Sequence, residues 1–387
     1  MLKQALLATG MALLLALALS ACKRTPQEPQ RIEQGRPEWL SAWGVLLVQD
    51  HMMRPSAGVV PYDLNTPLFS DYAHKLRTVW MPKGASAVYD EHQTFEMPVG
   101  TIITKTFYYP KAQAGESAAG ALQRNDNLHT DLDGEGLDLQ RVRLIETRVL
   151  VRRAEGWVAL PYVWNAEQTD ARLQRLGESI PVELVDGAGK RQALSYEVPN
   201  ENQCAGCHMV QLKNREFRPI GLKARHLNRD FSYAGVSENQ LSHLAKLGML
   251  SGLPGADVPR AADFQDPAES LERRARAYLD INCAHCHSPT GPANNTALNL
   301  EPFLPMAYQS GLCKPSVAAG KGTGEHLFDV VPGEPDASIM PFRLASTESG
   351  VMMPELGRGL VHTQALALIR DWIAAMQGHC DARQQGR

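Results

Sequence analysis

The sequence lacks two features that would point directly to a function. No apolar run after residue 21 reaches the ~18 residues that a membrane-spanning helix requires. The sequence also lacks a large excess of either charge, because it has 39 Lys and Arg residues and 42 Asp and Glu residues. No nucleic-acid-binding surface is therefore predicted. What remains is a chain of 387 residues, long enough for roughly two or three domains.

The informative pattern is that of cysteine. Four of the seven cysteines form two C-x-x-C-H motifs, CAGCH at 204–208 and CAHCH at 283–287. This spacing is typical of covalently attached c-type haem, in which two thiols form thioethers to the porphyrin and the adjacent histidine ligates the iron. We therefore predict two c-type haems, held by Cys204, Cys207 and His208 at the first motif and by Cys283, Cys286 and His287 at the second.

Other uses of these cysteines are disfavoured by their context. The two pairs lie far beyond the usual spacing of a zinc ribbon. Neither pair follows the βαβ pattern of a redox dithiol, and each is followed directly by histidine. Cys313 and Cys380 remain, and they either pair in an oxidising compartment or lie apart as small buried residues.

The first residues have the pattern of an exported protein. Residues 1–21 combine Lys3 with an apolar core, as in a bacterial signal peptide. Their end, Leu19-Ser20-Ala21-Cys22, resembles the lipobox of bacterial lipoproteins, which implies cleavage before Cys22 and lipidation of its sulfur. The alternative is a plain signal peptide followed by an unmodified cysteine. By resemblance to enteric sorting rules, Lys23 favours the outer membrane.

The pattern of the remaining chain predicts an α+β fold. Residues 22–38 are polar, which predicts a flexible tether. Residues 39–199 are predicted to form an antiparallel β-rich domain. Within that domain we predict two hairpins, Val142–Arg153 with Trp157–Trp164 and Ile180–Val185 with Gln192–Val198. Mainly α-helical, loop-rich haem units follow, a first at 200–260 and a cytochrome c-type domain at 266–380.

Capping signals locate three helices in these units. Asp266 followed by Pro267 predicts a helix that runs into the second motif. Ser237 is expected to cap a helix with Gln240 at its third position. Thr363 is expected to cap the last helix, which extends through Met376.

The sixth ligands of the two irons are predicted with unequal precision. For the second haem we predict Met353, with Met352 as the alternative, because a thioether opposite histidine suits electron transfer. The alternative role of either methionine is to fill a gap in the core. For the first haem Met209 adjoins the proximal histidine too closely, and Met249, His226, His243 or a residue of the β-rich domain is the candidate. A five-coordinate first iron is the remaining option.

The chain resembles a family of bacterial di-haem c-type cytochromes of largely unassigned function, and residues 266–378 resemble a single-haem cytochrome c domain. The resemblance rests on segments spread over most of the chain: YDLNTPLFSDYA (62–73), RLIETRVL (143–150), PYVWNAEQT (161–169), NQCAGCH (202–208), YLDINCAHCHSPTGPANNT (278–296), PGEPDASIMPFR (332–343) and GVMMPELGR (350–358). It implies haem binding, export, and a parallel β-helix protein as a partner.

These observations lead to one principal function and two alternatives. The principal hypothesis is electron transfer between periplasmic or membrane redox partner proteins, by a chain held on the periplasmic side of a bacterial membrane through its lipid anchor. The first alternative is a peroxidase-like redox enzyme with an open first haem. The second is the electron-accepting subunit of a dehydrogenase.

Overall fold

The computed structural model describes residues 28–112, 120–132, 136–210, 216–317 and 319–381. The predicted signal peptide, Cys22 and the first part of the tether lie outside the described residues. Within them the chain is a mixture of helices and strands with several antiparallel sheets, which confirms the coarse fold class. No helix of this part of the chain has the length and apolar character to cross a membrane.

A six-stranded antiparallel sheet forms the centre of the β-rich region. Its strands lie in the order β11-β10-β9-β6-β4-β3, with β3 at Val60–Tyr62, β4 at His74–Trp80, β6 at Ile102–Pro110, β9 at Val142–Arg153, β10 at Gly156–Trp164 and β11 at Ala171–Leu173. β9 and β10 form the predicted first hairpin, with Arg153 paired with Gly156 next to the turn. Gly156 has φ +140°, a value that few other residues adopt, and this explains why the turn occurs there.

The second predicted hairpin is also confirmed. β12 (Glu178–Val185) pairs with β13 (Arg191–Val198), and β7 (Leu122–Gln123) joins β12 in parallel. Asp186 stabilises the turn because its Oδ1 accepts hydrogen bonds from the backbone of Ala188 and Lys190. One buried apolar cluster unites this hairpin with the central sheet and includes Phe107, Tyr109, Ile145, Val182, Leu184, Leu194 and Tyr196.

Shorter strands complete the β structure. They pair as β1 (Leu46–Gln49), β2 (Met52–Pro55) and β8 (Leu137–Asp138), as β5 (Ala87–Val88) with β18 (Leu250–Ser251), as β14 (Met209–Val210) with β15 (Glu216–Phe217), and as β16 (Asp230–Tyr233) with β17 (Val236–Asn239). The described end of the predicted tether packs here as well. Ile32 contacts the core around Trp43, and the backbone N–H of Gln30 donates to Trp43 O at 2.8 Å. Residues 28–38 are therefore held against the β-rich region.

The α-helices of the two predicted haem units, called the first and second unit below, are short. They are α1 (Glu201–His208), α2 (Ala224–Leu227), α3 (Gln240–Lys246), α4 (Leu271–Leu279), α5 (Ile339–Ala345) and α6 (Thr363–Ala374), and a π-helical turn, Asp280–Ala284, extends α4. Most of the remaining chain in these units consists of loops, short strands and single 3-10 turns. Both units are less helical than the sequence pattern predicts.

Two predicted helix starts are wrong, for the same reason. α4 begins at Leu271 because Ser270 caps it, whereas the Asp266 carboxylate accepts from the N–H of Ala268 within a preceding turn. α3 begins at Gln240, capped by Asn239, and Ser237 belongs to β17. In both places a capping residue closer to the apolar face satisfies the free N–H groups of the first turn. The last helix extends from Thr363 to Ala374, so Thr363 is its first residue and not its cap, and the helix ends two residues before the predicted Met376.

Two features join the first and second units to their surroundings. Apolar side chains of the central sheet, such as Ile103, pack with Leu227 and Leu244 of the first unit and Ile281 of the second in one buried cluster. Cys313 and Cys380 form a disulfide with a Cα–Cα distance of 5.3 Å, so the open question about these cysteines is answered by pairing. The disulfide ties the end of the described chain to the loop region of the second unit.

Candidate haem-binding site

The whole first motif lies on α1. Asn200 caps this helix in a reciprocal capping box with Gln203, which fixes the helix directly after β13. Helical spacing then places Cys204, Cys207 and His208 on one side, since residues three and four apart are neighbours on a helix surface. The predicted attachment residues of the first haem are thus brought together locally.

The second motif begins in the π-helical turn and ends in a tight bend. Cys283 O accepts hydrogen bonds from the backbone N–H groups of Cys286 at 3.0 Å and of His287 at 2.9 Å. Burial raises the pKa of the Cys283 thiol to about 12. These two backbone hydrogen bonds close the turn that carries the end of the motif.

The two motifs meet in space. Sγ of Cys207, Sγ of Cys286 and a ring nitrogen of His285 all lie within 4.8 Å of one another. Sγ of Cys286 also approaches the carbonyl oxygen of Gly206 at 3.7 Å. A hydrogen bond from the Cys286 thiol, with His285 beside it, holds the pKa of Cys207 well below its usual range. This contact is not predictable from the two motifs alone, because they are far apart along the chain.

Each motif histidine is oriented through its Nδ1 atom. His208 Nδ1 lies 2.8 Å from the carbonyl oxygen of Arg218, and its ring stacks on Phe217 at 5.0 Å. His287 Nδ1 lies 3.2 Å from Thr296 Oγ1, whose own hydroxyl donates to Ala293 O. Nδ1–H is therefore the donor in both imidazoles, and Nε2 is left with its lone pair.

The protonation state of both histidines suits a metal ligand. Burial lowers the pKa of His208 and of His287 to about 4, so that both rings are neutral at pH 7. A neutral imidazole whose second nitrogen donates to a carbonyl or hydroxyl is the usual arrangement of a metal-ligating histidine. The residues present therefore fit haem attachment at both motifs.

Two cavities border the first motif. One, of about 140 Å³, lies between α1 and the central sheet and is lined by Cys204, Cys207 and His208. The other, of about 330 Å³, is lined by Cys207 and His285 together with residues of the first unit. His285 borders both cavities, and its Nδ1 is buried without a hydrogen-bond partner in the described part of the chain.

The predicted sixth ligands of the first haem lie elsewhere. His226 Nε2 is bound to Asp280 Oδ2 at 2.7 Å, and His243 Nδ1 to Glu238 Oε1 at 2.6 Å. Met249 packs in the apolar cluster beside Leu244. Neither these three residues nor Met209 line either cavity. Among the lining residues of both cavities, His285 is the only histidine or methionine besides His208.

Met353 lies in a loop that covers both motifs, but no contact joins it to His287 among the described residues. Its N–H donates to Arg343 O at 3.1 Å, and its carbonyl oxygen accepts from Arg358. The following residue, Pro354, lines the smaller cavity. Met352 and Met353 are both half-buried. The role of Met353 as a ligand stays a prediction.

Sequence reasoning missed the residue that fixes this loop. The Asp71 carboxylate accepts hydrogen bonds from the backbone N–H groups of Gly359 and Leu360 at 2.7–2.9 Å. Burial raises the pKa of Asp71 to about 6. Asp71 lies within the quoted segment at 62–73, yet nothing in that segment identifies the loop that it binds. It joins the β-rich region to the end of the loop that begins at Met353.

Comparisons with known proteins find no matching family model, no matching curated protein and no matching solved structure. A function for the chain therefore has to come from the chemistry of the two motifs and of the residues around them.

Proposed function

We propose that the chain is an exported, lipid-anchored di-haem c-type cytochrome that transfers electrons on the periplasmic side of a bacterial membrane. The observation that carries the proposal is the contact of the two motifs through Cys207, His285 and Cys286. In a c-type haem each cysteine sulfur is bonded directly to the porphyrin periphery. Two haems attached at these cysteines would therefore be neighbours, and an electron entering at one would reach the other within the same chain.

The chemistry at each motif supports this proposal. Haem, when attached, supplies a one-electron carrier, and Cys204, Cys207 and His208 would hold the first, while Cys283, Cys286 and His287 would hold the second. The hydrogen bonds from Nδ1 to Arg218 O and Thr296 Oγ1 fix the ring orientation and the tautomer of the two ligands. In this proposal residues 266–380 form a cytochrome c-type domain, and Met353 is the predicted sixth ligand of the second haem iron.

Location and partners belong to the same proposal. Lipidation of Cys22 would anchor the chain without a spanning helix, and the outer membrane is the favoured location. The β-rich region, which contacts both haem units, would serve as the docking module for redox partner proteins. A parallel β-helix protein is one partner to test.

An optical redox titration tests the proposal. The purified wild type is expected to show two one-electron transitions with the absorption of low-spin c-type haem. The variant Cys204→Ala/Cys207→Ala and the variant Cys283→Ala/Cys286→Ala should each retain one transition. Cys22→Ala should move the protein from the membrane fraction to the soluble fraction with both transitions intact. Cysteine variants that leave both transitions unchanged would refute the assignment of the sites.

One observation favours the enzymatic alternative at the first haem. None of Met249, His226 and His243 lines a cavity at the first motif, so a five-coordinate iron there is a specific second candidate. A peroxidase-like activity would then use the open position. A high-spin signal that responds to cyanide or peroxide would support it, and two low-spin irons in the oxidised wild type would exclude it.

A further inference from the structure

Cations outnumber anions among the residues that line the smaller cavity at the first motif. Three cations line it: Lys105 of β6, Arg148 of β9 and Arg358 of the loop that follows Met353. Glu197 is the one acidic residue among the lining residues. Its carboxylate is already engaged by the hydroxyls of Ser179 and Ser195. The cavity therefore has an excess of positive charge beside the cysteines and histidine of the first motif.

Lys105 is the least compensated of these cations. It is half-buried, and its Nζ forms no ion pair or hydrogen bond with any residue that the structure describes. Its Nζ lies 5.0 Å from the centroid of the Phe107 ring. A cation removed from water without a counter-ion is costly. An anionic group in the cavity would remove that cost.

Arg148 is held in position by a buried carboxylate. Its Nε and Nη2 atoms donate to Glu146 at 2.9 and 2.5 Å, and Glu146 Oε1 also accepts from the Tyr196 hydroxyl at 2.8 Å. Within the described chain its Nη1 atom has no hydrogen-bond partner, and the side chain lines the cavity. Glu146 thus fixes the guanidinium while leaving one side of it available to a ligand.

Arg358 contributes charge and has little free hydrogen-bonding capacity. Its Nε, Nη1 and Nη2 atoms donate to the carbonyl oxygens of Met353, Leu360 and Ser346, among others. Among the described residues all its hydrogen-bond partners are carbonyl oxygens, and none is a carboxylate. Its positive charge therefore remains in the wall of the cavity. Lys105 and Arg148 are the two cations with donors left for a ligand.

We propose that Lys105 and Arg148 bind the carboxylate groups of the haem attached at the first motif. The inference rests on the proposed function. Cys204, Cys207 and His208 line the same cavity as Lys105 and Arg148, so a group bonded to the motif would border both cations. Haem carries two carboxylates, which are the anionic groups that the cavity lacks. Hydrogen bonds between such carboxylates and lysine or arginine are of the strong, charge-assisted type.

The test is the reduction potential of each haem in Lys105 variants of the full-length holoprotein. Lys105→Met and Lys105→Gln are made in parallel, so that the test can still be carried out with one variant if the other misfolds. Removing this cation should lower one of the two potentials, because positive charge near an iron favours its reduced state. Lys105→Arg should restore the wild-type value. Lys83→Met, a change at an exposed lysine of the same region, is the matched control and should leave both potentials unchanged.

Haem content is measured first in every variant, because it separates the two claims. A wild type without two attached haems refutes the proposed function. If two haems are attached and neither potential moves in Lys105→Met or Lys105→Gln, the carboxylate assignment is wrong while the proposed function stands. Equal shifts in the Lys83→Met control would also overturn the assignment.

Discussion

At the scale of single residues, the hydrogen-bond acceptors next to the motif histidines set the orientation and the tautomer of their rings. His208 and His287 each use Nδ1 for an oriented hydrogen bond, one to a backbone carbonyl and one to the hydroxyl of Thr296. The sequence predicted the two histidines as ligands. It did not predict these acceptors, because Arg218 O and Thr296 Oγ1 reach the rings only through the local path of the chain.

Thr296→Val should change the potential of one haem only. The substitution removes the acceptor for His287 Nδ1–H and makes the imidazole a weaker donor to iron, so that the oxidised state loses stabilisation. We expect an upward shift of one transition in a redox titration. Thr347→Val, at an exposed threonine without a hydrogen bond in the described structure, is the control. Equal movement of both transitions, or of neither, would contradict this role of Thr296.

Asp71 should make stability depend on pH. Burial raises its pKa from 3.8 to about 6 in the folded protein, so folding takes up a proton over this range. The contribution is greatest below pH ~4 and is lost as the pH rises to about 6, by up to about 3 kcal/mol. Denaturant unfolding of the wild type relative to Asp71→Asn should show this loss between pH 4 and pH 7. A difference between the two proteins that is constant over that range would contradict the prediction.

At the scale of secondary-structure elements, strands were more predictable than helix boundaries. The hairpins at 142–164 and 178–198 follow from alternating side chains that flank turn residues, and this information is local. The starts of α3 and α4 were misplaced because several residues of each segment are able to cap, and tertiary packing decides between them. The short strands of the first unit, such as β16 and β17, were not predicted, since four-residue segments carry too little periodicity.

A buried ion cluster fixes α2 against the turn that carries the second motif. Asp280 accepts from Arg225 at 2.6 and 2.8 Å and from His226 at 2.7 Å, and all three side chains are buried. Asp280→Asn would leave the Arg225 guanidinium buried without an anion. The free energy of unfolding should then fall by about 3–5 kcal/mol, as measured by urea denaturation.

The matched control for this cluster is an exposed ion pair. Asp336 is paired with Arg370 at 2.7 Å, and its side chain is 86% exposed. Asp336→Asn should cost about 1 kcal/mol or less. A loss in Asp280→Asn that is no larger than the loss in Asp336→Asn would show that the buried cluster has no special role.

At the scale of the whole molecule, the arrangement of the motifs depends on long-range packing. Both motifs are visible in the sequence, but their contact is not. The contact depends on the apolar cluster around Ile103 and Ile281, in which the central sheet, the first unit and the second unit pack together. The basic cavity has the same origin. In the sequence Lys105 and Arg148 are two charged residues of separate predicted strands. They line one cavity only because β6 pairs with β9 and α1 lies beside them.

The disulfide is expected to stabilise the second unit without affecting haem attachment. It closes a loop across a sequence separation of 67 residues, which restricts the unfolded chain. Cys313→Ser/Cys380→Ser should lower the free energy of unfolding by about 2–4 kcal/mol, with unchanged haem content. Wild type treated with a thiol reductant should match the variant, because thioether bonds resist reduction. Identical unfolding midpoints in the variant and the untreated wild type would contradict this.

The most direct measurement for the central claim is the intact mass of the denatured wild-type protein, produced in a bacterium that attaches c-type haem. Covalent haem survives denaturation, so the account predicts a mass that exceeds that of the processed polypeptide and its lipid by two haems. The excess should fall to one haem in either Cys204→Ala/Cys207→Ala or Cys283→Ala/Cys286→Ala. A wild-type protein that carries one haem or none would contradict the account.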